Sequence, residues 1–217
     1  MTEDPHAETA VERRGPPLSG ASAAVLLVHG RGARARGMLD FASEIDQEGV
    51  AYLAPQAARG TWYPQSFMAP IDANEPHLTS ALDKLDTVRS TIEDAGIDAE
   101  RTILLGFSQG ACLATEFGAR TARSYGGVVA LSGGLIGPEG ATFEYDGDLS
   151  GTRAFFGCGD QDPHIPVERV HDTTAAYEDL GATVDERIYE GMGHGVIEDE
   201  MDAVRDLVDD VVSDASD

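Results

Sequence analysis

Lysine is almost missing from this chain. Among its 217 residues only Lys84 is a lysine, and the other fourteen basic residues are arginines. Fifteen basic against 39 acidic residues leave a formal net charge of −24. So acidic a surface repels nucleic acid and anionic membranes, which excludes polyanions as partners. The acid is spread along the whole chain and is not gathered in one block. One reading is a binding surface for a cationic partner. The other is a hydrated, halophilic coat suited to high salt, where repulsion is screened over a few ångströms. The even spread and the shortage of lysine favour the second.

Cysteine is scarce too. Cys112 and Cys158 are too few for a disulfide framework or a zinc site, and are expected as small, buried, reduced residues. No apolar run approaches the roughly 18 to 20 residues of a membrane-spanning helix. The first twenty residues hold Pro5, Gly15, Pro16 and Pro17 and lack the apolar core of a secretion signal. They are expected to be a flexible leader on a cytoplasmic protein, with residues 21–217 forming a single domain.

What is present alternates. Residues 23–28 form a continuous apolar run, as in a strand buried on both faces. Further strands are expected at 50–54, 102–107, 126–131, 152–157 and 183–189, the last near a sheet edge. Helical spacing is expected over 38–48, 78–95, 109–121, 167–180 and 198–212. Residues 55–76 form the longest irregular stretch, yet carry Trp62, Tyr63, Phe67 and Met68. Strands alternating with helices predict an α/β class protein: a mostly parallel central sheet with helices on both faces. Ligands of such sheets bind past the carboxyl ends of the strands.

That edge is where the reactive residue types fall. Gly106-Phe107-Ser108-Gln109-Gly110 joins an apolar strand to a small-residue helix. Glycine on either side lets a serine sit on a sharp strand-to-helix turn with its hydroxyl exposed. Such a serine needs a base, and the base needs an acid to orient it. Of six histidines, His194 lies in a glycine-flanked loop after the last strand and is the expected base. His6, His77 and His171 are expected at the surface, and His164 at a rim. Asp160 and Asp162 both follow the strand at 152–157, and chain order alone leaves both open as the acid. Two amides are needed for a developing oxyanion: that of Gln109, and that of Arg31 in His29-Gly30-Arg31-Gly32. The Arg31 side chain has two open readings, a contact for an anionic substrate group or a solvated surface arginine.

Taken together, His29-Gly30-x-Gly32, Gly106-Phe107-Ser108-Gln109-Gly110, Gly159-Asp160-Gln161-Asp162-Pro163-x-Ile165-Pro166 and Gly191-Met192-Gly193-His194 resemble the phospholipase/carboxylesterase family. The resemblance covers about residues 22 to 212. It implies an α/β-hydrolase fold without a large cap domain, and hydrolysis of carboxylic esters or thioesters with no metal or organic cofactor. It implies Ser108, Asp162 and His194 as the catalytic residues, with Asp162 chosen over Asp160. It also implies a small-molecule ester or thioester as partner and is compatible with a homodimer. A tryptophan in the long loop is similar to the family's, so Trp62, with Phe67 and Met68, is the expected wall of an acyl pocket. One departure stands out. The family's His-Gly-x-Gly-Asp has Ala33 in place of the aspartate. Two other readings of the same residues are a lactonase resembling the dienelactone hydrolases, and a catalytically silent ligand-binding relative.

Overall fold

In the computed structural model, which describes residues 4–214, seven strands form one sheet in the order β1-β3-β2-β4-β5-β6-β7. They are β1 (Val11–Arg14), β2 (Ala23–Val28), β3 (Val50–Pro55), β4 (Thr102–Phe107), β5 (Gly127–Leu131), β6 (Arg153–Gly159) and β7 (Thr183–Tyr189). All neighbours pair in parallel except β1, which runs antiparallel to β3. The helices are α1 (Ala35–Ala42), α2 (His77–Asp94), α3 (Gln109–Arg120), α4 (Val167–Asp179) and α5 (Glu198–Asp214).

Two apolar layers follow from the period-two alternation of strand side chains. Leu26, Val28, Leu104, Val128 and Phe156 face α2, α3 and α4. Val25, Leu27, Ile103, Leu105, Val129 and Phe155 face α1 and α5. With both faces covered, β2 through β5 need apolar residues at nearly every position, which is why they read as unbroken runs. From β2 the chain crosses to β3 on one side and then returns to β4 on the other. The crevice at this reversal, past the ends of β2 and β4, is where an open parallel sheet holds its ligand.

The N-terminal segment departs from expectation. Residues 1–3 lie outside the described residues, but residues 4–14 are not a free leader. β1 pairs with β3 through four residue partners, and its Glu12, Arg13 and Arg14 blunt an otherwise open sheet edge. His6 is fully buried. Its amide donates to Ser80 Oγ at 2.9 Å, and its ring Nδ1 accepts from the Ala58 amide at 3.0 Å. That fixes the proton on Nε2, which donates to the Trp62 carbonyl at 2.8 Å. Burial, the largest influence, lowers the His6 pKa and keeps the ring neutral. Lys84, the only lysine, donates to the Ala7 and Thr9 carbonyls. These anchors are polar and single, so no apolar run announces them. α1 also begins three residues earlier than its periodicity indicates and ends in a 3-10 turn, Ser43–Ile45.

Candidate active site

The site begins at the turn between β4 and α3. Ser108 has φ 56° and ψ −122°, a left-handed conformation that costs a non-glycine residue about 1–3 kcal/mol. Packing around it leaves no alternative. A Cβ on Gly106 would run into the backbone of Gly110, and one on Gly110 into the Val28 carbonyl of the adjacent strand. The two glycines let α3 start directly against β2 and β4, and the chain turns sharply enough to raise Ser108 above the sheet. The Ser108 amide is tied to the Leu131 carbonyl at 3.0 Å.

His194 reaches this serine from the loop after β7. Its Nε2 lies 2.9 Å from Ser108 Oγ, and its Nδ1 lies 2.6 Å from Asp162 Oδ2. The Asp162 side chain is fully buried. Its Oδ1 accepts from the amides of His164 at 2.8 Å and Ile165 at 3.1 Å. Burial pushes the carboxyl pKa up, but the bonds from His194 and these two amides outweigh it and hold Asp162 below the usual carboxylate range. A carboxylate facing Nδ1 draws the ring proton there and leaves the Nε2 lone pair toward Ser108. Phe107 and His164 flank the imidazole, with ring centroids at 5.1 and 4.9 Å. Ser132 Oγ donates to the Gly195 carbonyl at 3.2 Å and steadies the loop. Asp160 is exposed, and its Oδ1 accepts from the Gly191 amide at 2.7 Å. Of the two aspartates that chain order left open, geometry thus puts Asp162 on the imidazole and Asp160 on the loop that carries it.

The loop after β2 closes in from the other side. Gly30 comes so near that a Cβ there would stand 3.3 Å from Ser108 Cβ. His29 is buried and holds the turn. Its Nε2 accepts from the Ala57 amide at 3.0 Å, which leaves Nδ1–H to donate to the Gly30 carbonyl at 2.8 Å. The Gly32 amide donates to the Gly60 carbonyl at 2.7 Å. Gln109 opens α3, so its amide has no acceptor within the helix. Arg31 and Gln109 line the same cavity as Ser108 and His194.

That cavity measures about 600 Å³. Phe67 lines it as expected, and Trp62 and Met68 do not. Trp62 is fully buried beneath the site, packed between His6 and His29, with its indole N–H donating to the His29 carbonyl at 2.8 Å. Its bulk is spent on supporting the turn. Met68 packs against the core under the long loop. The neighbouring Tyr63 takes the expected place of Trp62 on the cavity wall. The Arg31 side chain is exposed, and its guanidinium donates to the Pro64 and Gln65 carbonyls at 3.0 and 2.6 Å, a tie to the long loop that neither sequence reading included.

Sequence reasoning gave Gln109 a role through its backbone alone. Its buried side chain also accepts from the Trp62 amide at 3.0 Å and donates to the Tyr63 carbonyl at 2.8 Å. The residue beside the serine therefore anchors the aromatic loop. A long-range amide clamp of this kind leaves no local sequence signal. Cys112 and Cys158 are free, buried thiols whose pKa values burial pushes up to about 12. Of the histidines expected at the surface, His171 is exposed and bonds Glu186, whereas His6 is buried and His77 has a buried ring nitrogen without a partner.

An elbow serine with histidine and aspartate in line is found on many α/β-hydrolases, so the assignment of family turns on the rest of the chain. Residues 15–212 match the phospholipase/carboxylesterase family. A solved phospholipase/carboxylesterase from Dyadobacter fermentans is 41% identical, with 93% of this chain and 96% of that one superposed at a TM-score of 0.89. Acyl-protein thioesterase 1 of Saccharomyces cerevisiae is 30% identical over 132 residues, and that of Debaryomyces hansenii 27% identical over 214 residues. The first match covers 58% of each partner and the second 88% of this chain and 92% of the other. In the first two curated relatives the matched stretch spans only about half of the protein's length, 58% and 48%. With an α/β-hydrolase sheet, helices on both faces and no large cap among the described residues, the chain belongs to the phospholipase/carboxylesterase family.

Proposed function

We propose that this protein hydrolyses carboxylic esters or thioesters of small molecules through an acyl-enzyme on Ser108. The observation that carries the proposal is the continuous relay from Ser108 Oγ through His194 to the buried Asp162 carboxylate, at 2.9 and 2.6 Å. His194 Nε2 takes the hydroxyl proton as Ser108 attacks the carbonyl carbon. Asp162 stabilises the resulting imidazolium without taking its proton. The amides of Arg31 and Gln109 receive the oxyanion. When the tetrahedral adduct collapses, His194 gives its proton to the departing alcohol or thiol. Water then enters, loses a proton to His194, and the same sequence run again releases the acid and restores Ser108.

No step needs a metal or organic cofactor. The Cys112 thiol, buried with its pKa raised to about 12, is poorly suited to be a rival nucleophile. The thioester arm of the proposal draws support from the acyl-protein thioesterases among the relatives. The net charge of −24 disfavours nucleic acid as a partner.

The test is Ser108→Ala, assayed on p-nitrophenyl esters and acyl thioesters from low to multimolar salt. The expected loss of turnover is about 10⁴-fold or more, with an unchanged circular dichroism spectrum. Turnover that survives the substitution would sink the proposal.

A further inference from the structure

Charge around the triad cavity runs opposite to the rest of the chain. The sequence holds 39 acidic residues, yet none among the described residues lines that cavity. Its charged or ionisable lining is Arg31, His164 and His194, with the Cys112 thiol and the Tyr63 phenol kept neutral by burial. A smaller recess meets it at Gly30, Ala33 and Phe107, also lacks acid and has Arg34 in its wall. Three recesses elsewhere on the surface hold three, three and two carboxylates. Arginine pairing shows the same contrast. Ten of the fourteen arginines pair with a carboxylate. Among the described residues Arg13, Arg31, Arg34 and Arg59 have no such partner, and all four are exposed. Arg31 and Arg34 stand on the loop after β2. Arg59 stands on the turn whose Gly60 carbonyl accepts from the Gly32 amide of that loop. Three of the four unpaired arginines thus gather on two bonded turns beside one cavity. Ala33, between Arg31 and Arg34, replaces the aspartate of the family's motif, so this loop carries arginine charge with no acid to offset it.

Resting on the hydrolase reading, we propose that the substrate carries an anionic group, a carboxylate or a phosphate, which the Arg31 and Arg34 guanidinium groups receive at the cavity mouth. Arg31 spends two N–H groups on the Pro64 and Gln65 carbonyls, and about three of the five on a guanidinium remain. The tie to the long loop holds those remaining donors in place. Arg34 donates to nothing among the described residues. The net charge of −24 repels an approaching anion, but that field comes from distant carboxylates and is screened over about 3 Å at 1 M salt. A guanidinium in contact acts at about 2.8 Å, within that length. Salt therefore removes more of the repulsion than of the attraction.

The test compares kcat/KM for matched substrates at 1 M salt. In the acyl arm, mono-p-nitrophenyl adipate, whose acyl chain ends in a carboxylate, is set against p-nitrophenyl methyl adipate, in which that carboxylate is capped. In the leaving-group arm, butyryl-coenzyme A, which carries phosphates, is set against S-butyryl pantetheine. Wild type is measured beside Arg34→Gln and the double variant Arg31→Gln/Arg34→Gln. In at least one arm the wild type should favour the anionic member by about tenfold. That preference should fall several-fold in Arg34→Gln and vanish in the double variant. Each ratio is taken within one protein, so a rate lost by loosening the Arg31 tie cancels. The responding arm tells whether the charge sits on the acyl or the leaving group. No preference for the anionic member in either arm, or a preference that survives the double variant, overturns the inference. A wild type that turns over none of the four overturns the hydrolase reading and the inference with it, so the two failures are told apart.

Discussion

Replacing Glu200 by glutamine should change how stability depends on pH. Glu200 is fully buried in the first turn of α5, just beyond the loop that carries His194. One oxygen, Oε2, accepts from the Ile197 amide at 2.9 Å and caps the helix; Oε1 is buried with no partner. Gly157 makes the room, since a Cβ on that residue would collide with Oε1. Burial, reinforced by Asp199 against the opposing Ile197 bond, raises the carboxyl pKa from 4.5 to about 7. The proton is therefore held more tightly in the folded protein than in the unfolded chain. The stability this confers is fully present below pH 4.5 and is lost as pH rises through about 7. At about 1.4 kcal/mol per tenfold change in proton affinity, the whole loss is roughly 3 kcal/mol. Glutamine keeps a cap acceptor and cannot ionise. Urea unfolding of both proteins at fixed high salt should show Glu200→Gln gaining most of that 3 kcal/mol on the wild type between pH 5 and pH 8. In thermal melts the gain is about 6–12 °C for a domain of this size. Any cost of an unpaired amide group is the same at every pH and drops out of the comparison. Parallel stability profiles for the two proteins would refute the reasoning, because they would mean that Glu200 titrates alike folded and unfolded.

Two further outcomes separate roles that the sequence left entangled. Asp162→Asn should lower kcat by about 10⁴-fold, because an amide no longer holds the imidazole in the working tautomer, whereas Asp160→Asn still accepts from Gly191 and should cost only a few-fold. His6→Ala removes the ring that bonds the Ala58 amide and the Trp62 carbonyl and should cost about 2–4 kcal/mol in urea unfolding. The wild type's own His6 contribution is present above the unfolded histidine value of 6.5 and should fade as pH falls below it, since the folded ring resists protonation.

What could be read in the sequence has a common physical character. A strand buried on both faces must be apolar throughout, so β2, β4 and β5 announce themselves. The elbow must have glycine at 106 and 110, because backbone from the next turn and the next strand occupies the Cβ positions. His194 is legible because it follows a strand at the elbow's sheet edge, whereas the same placement leaves Asp160 and Asp162 both open and only the family resemblance separates them. Such constraints are local, and a local pattern records them. The N-terminal segment, the Gln109 clamp and the placing of Trp62 and Tyr63 are of another kind. Each is decided by one or two hydrogen bonds between residues about 45 to 55 positions apart, His6 with Ala58 and Trp62, Gln109 with Trp62 and Tyr63. Aromatic size argued for Trp62 on the cavity wall, but its indole N–H needed a partner on burial and found one at His29, on the side away from the substrate. Tyr63, next along the chain, lines the cavity, and its own hydroxyl is buried without a partner.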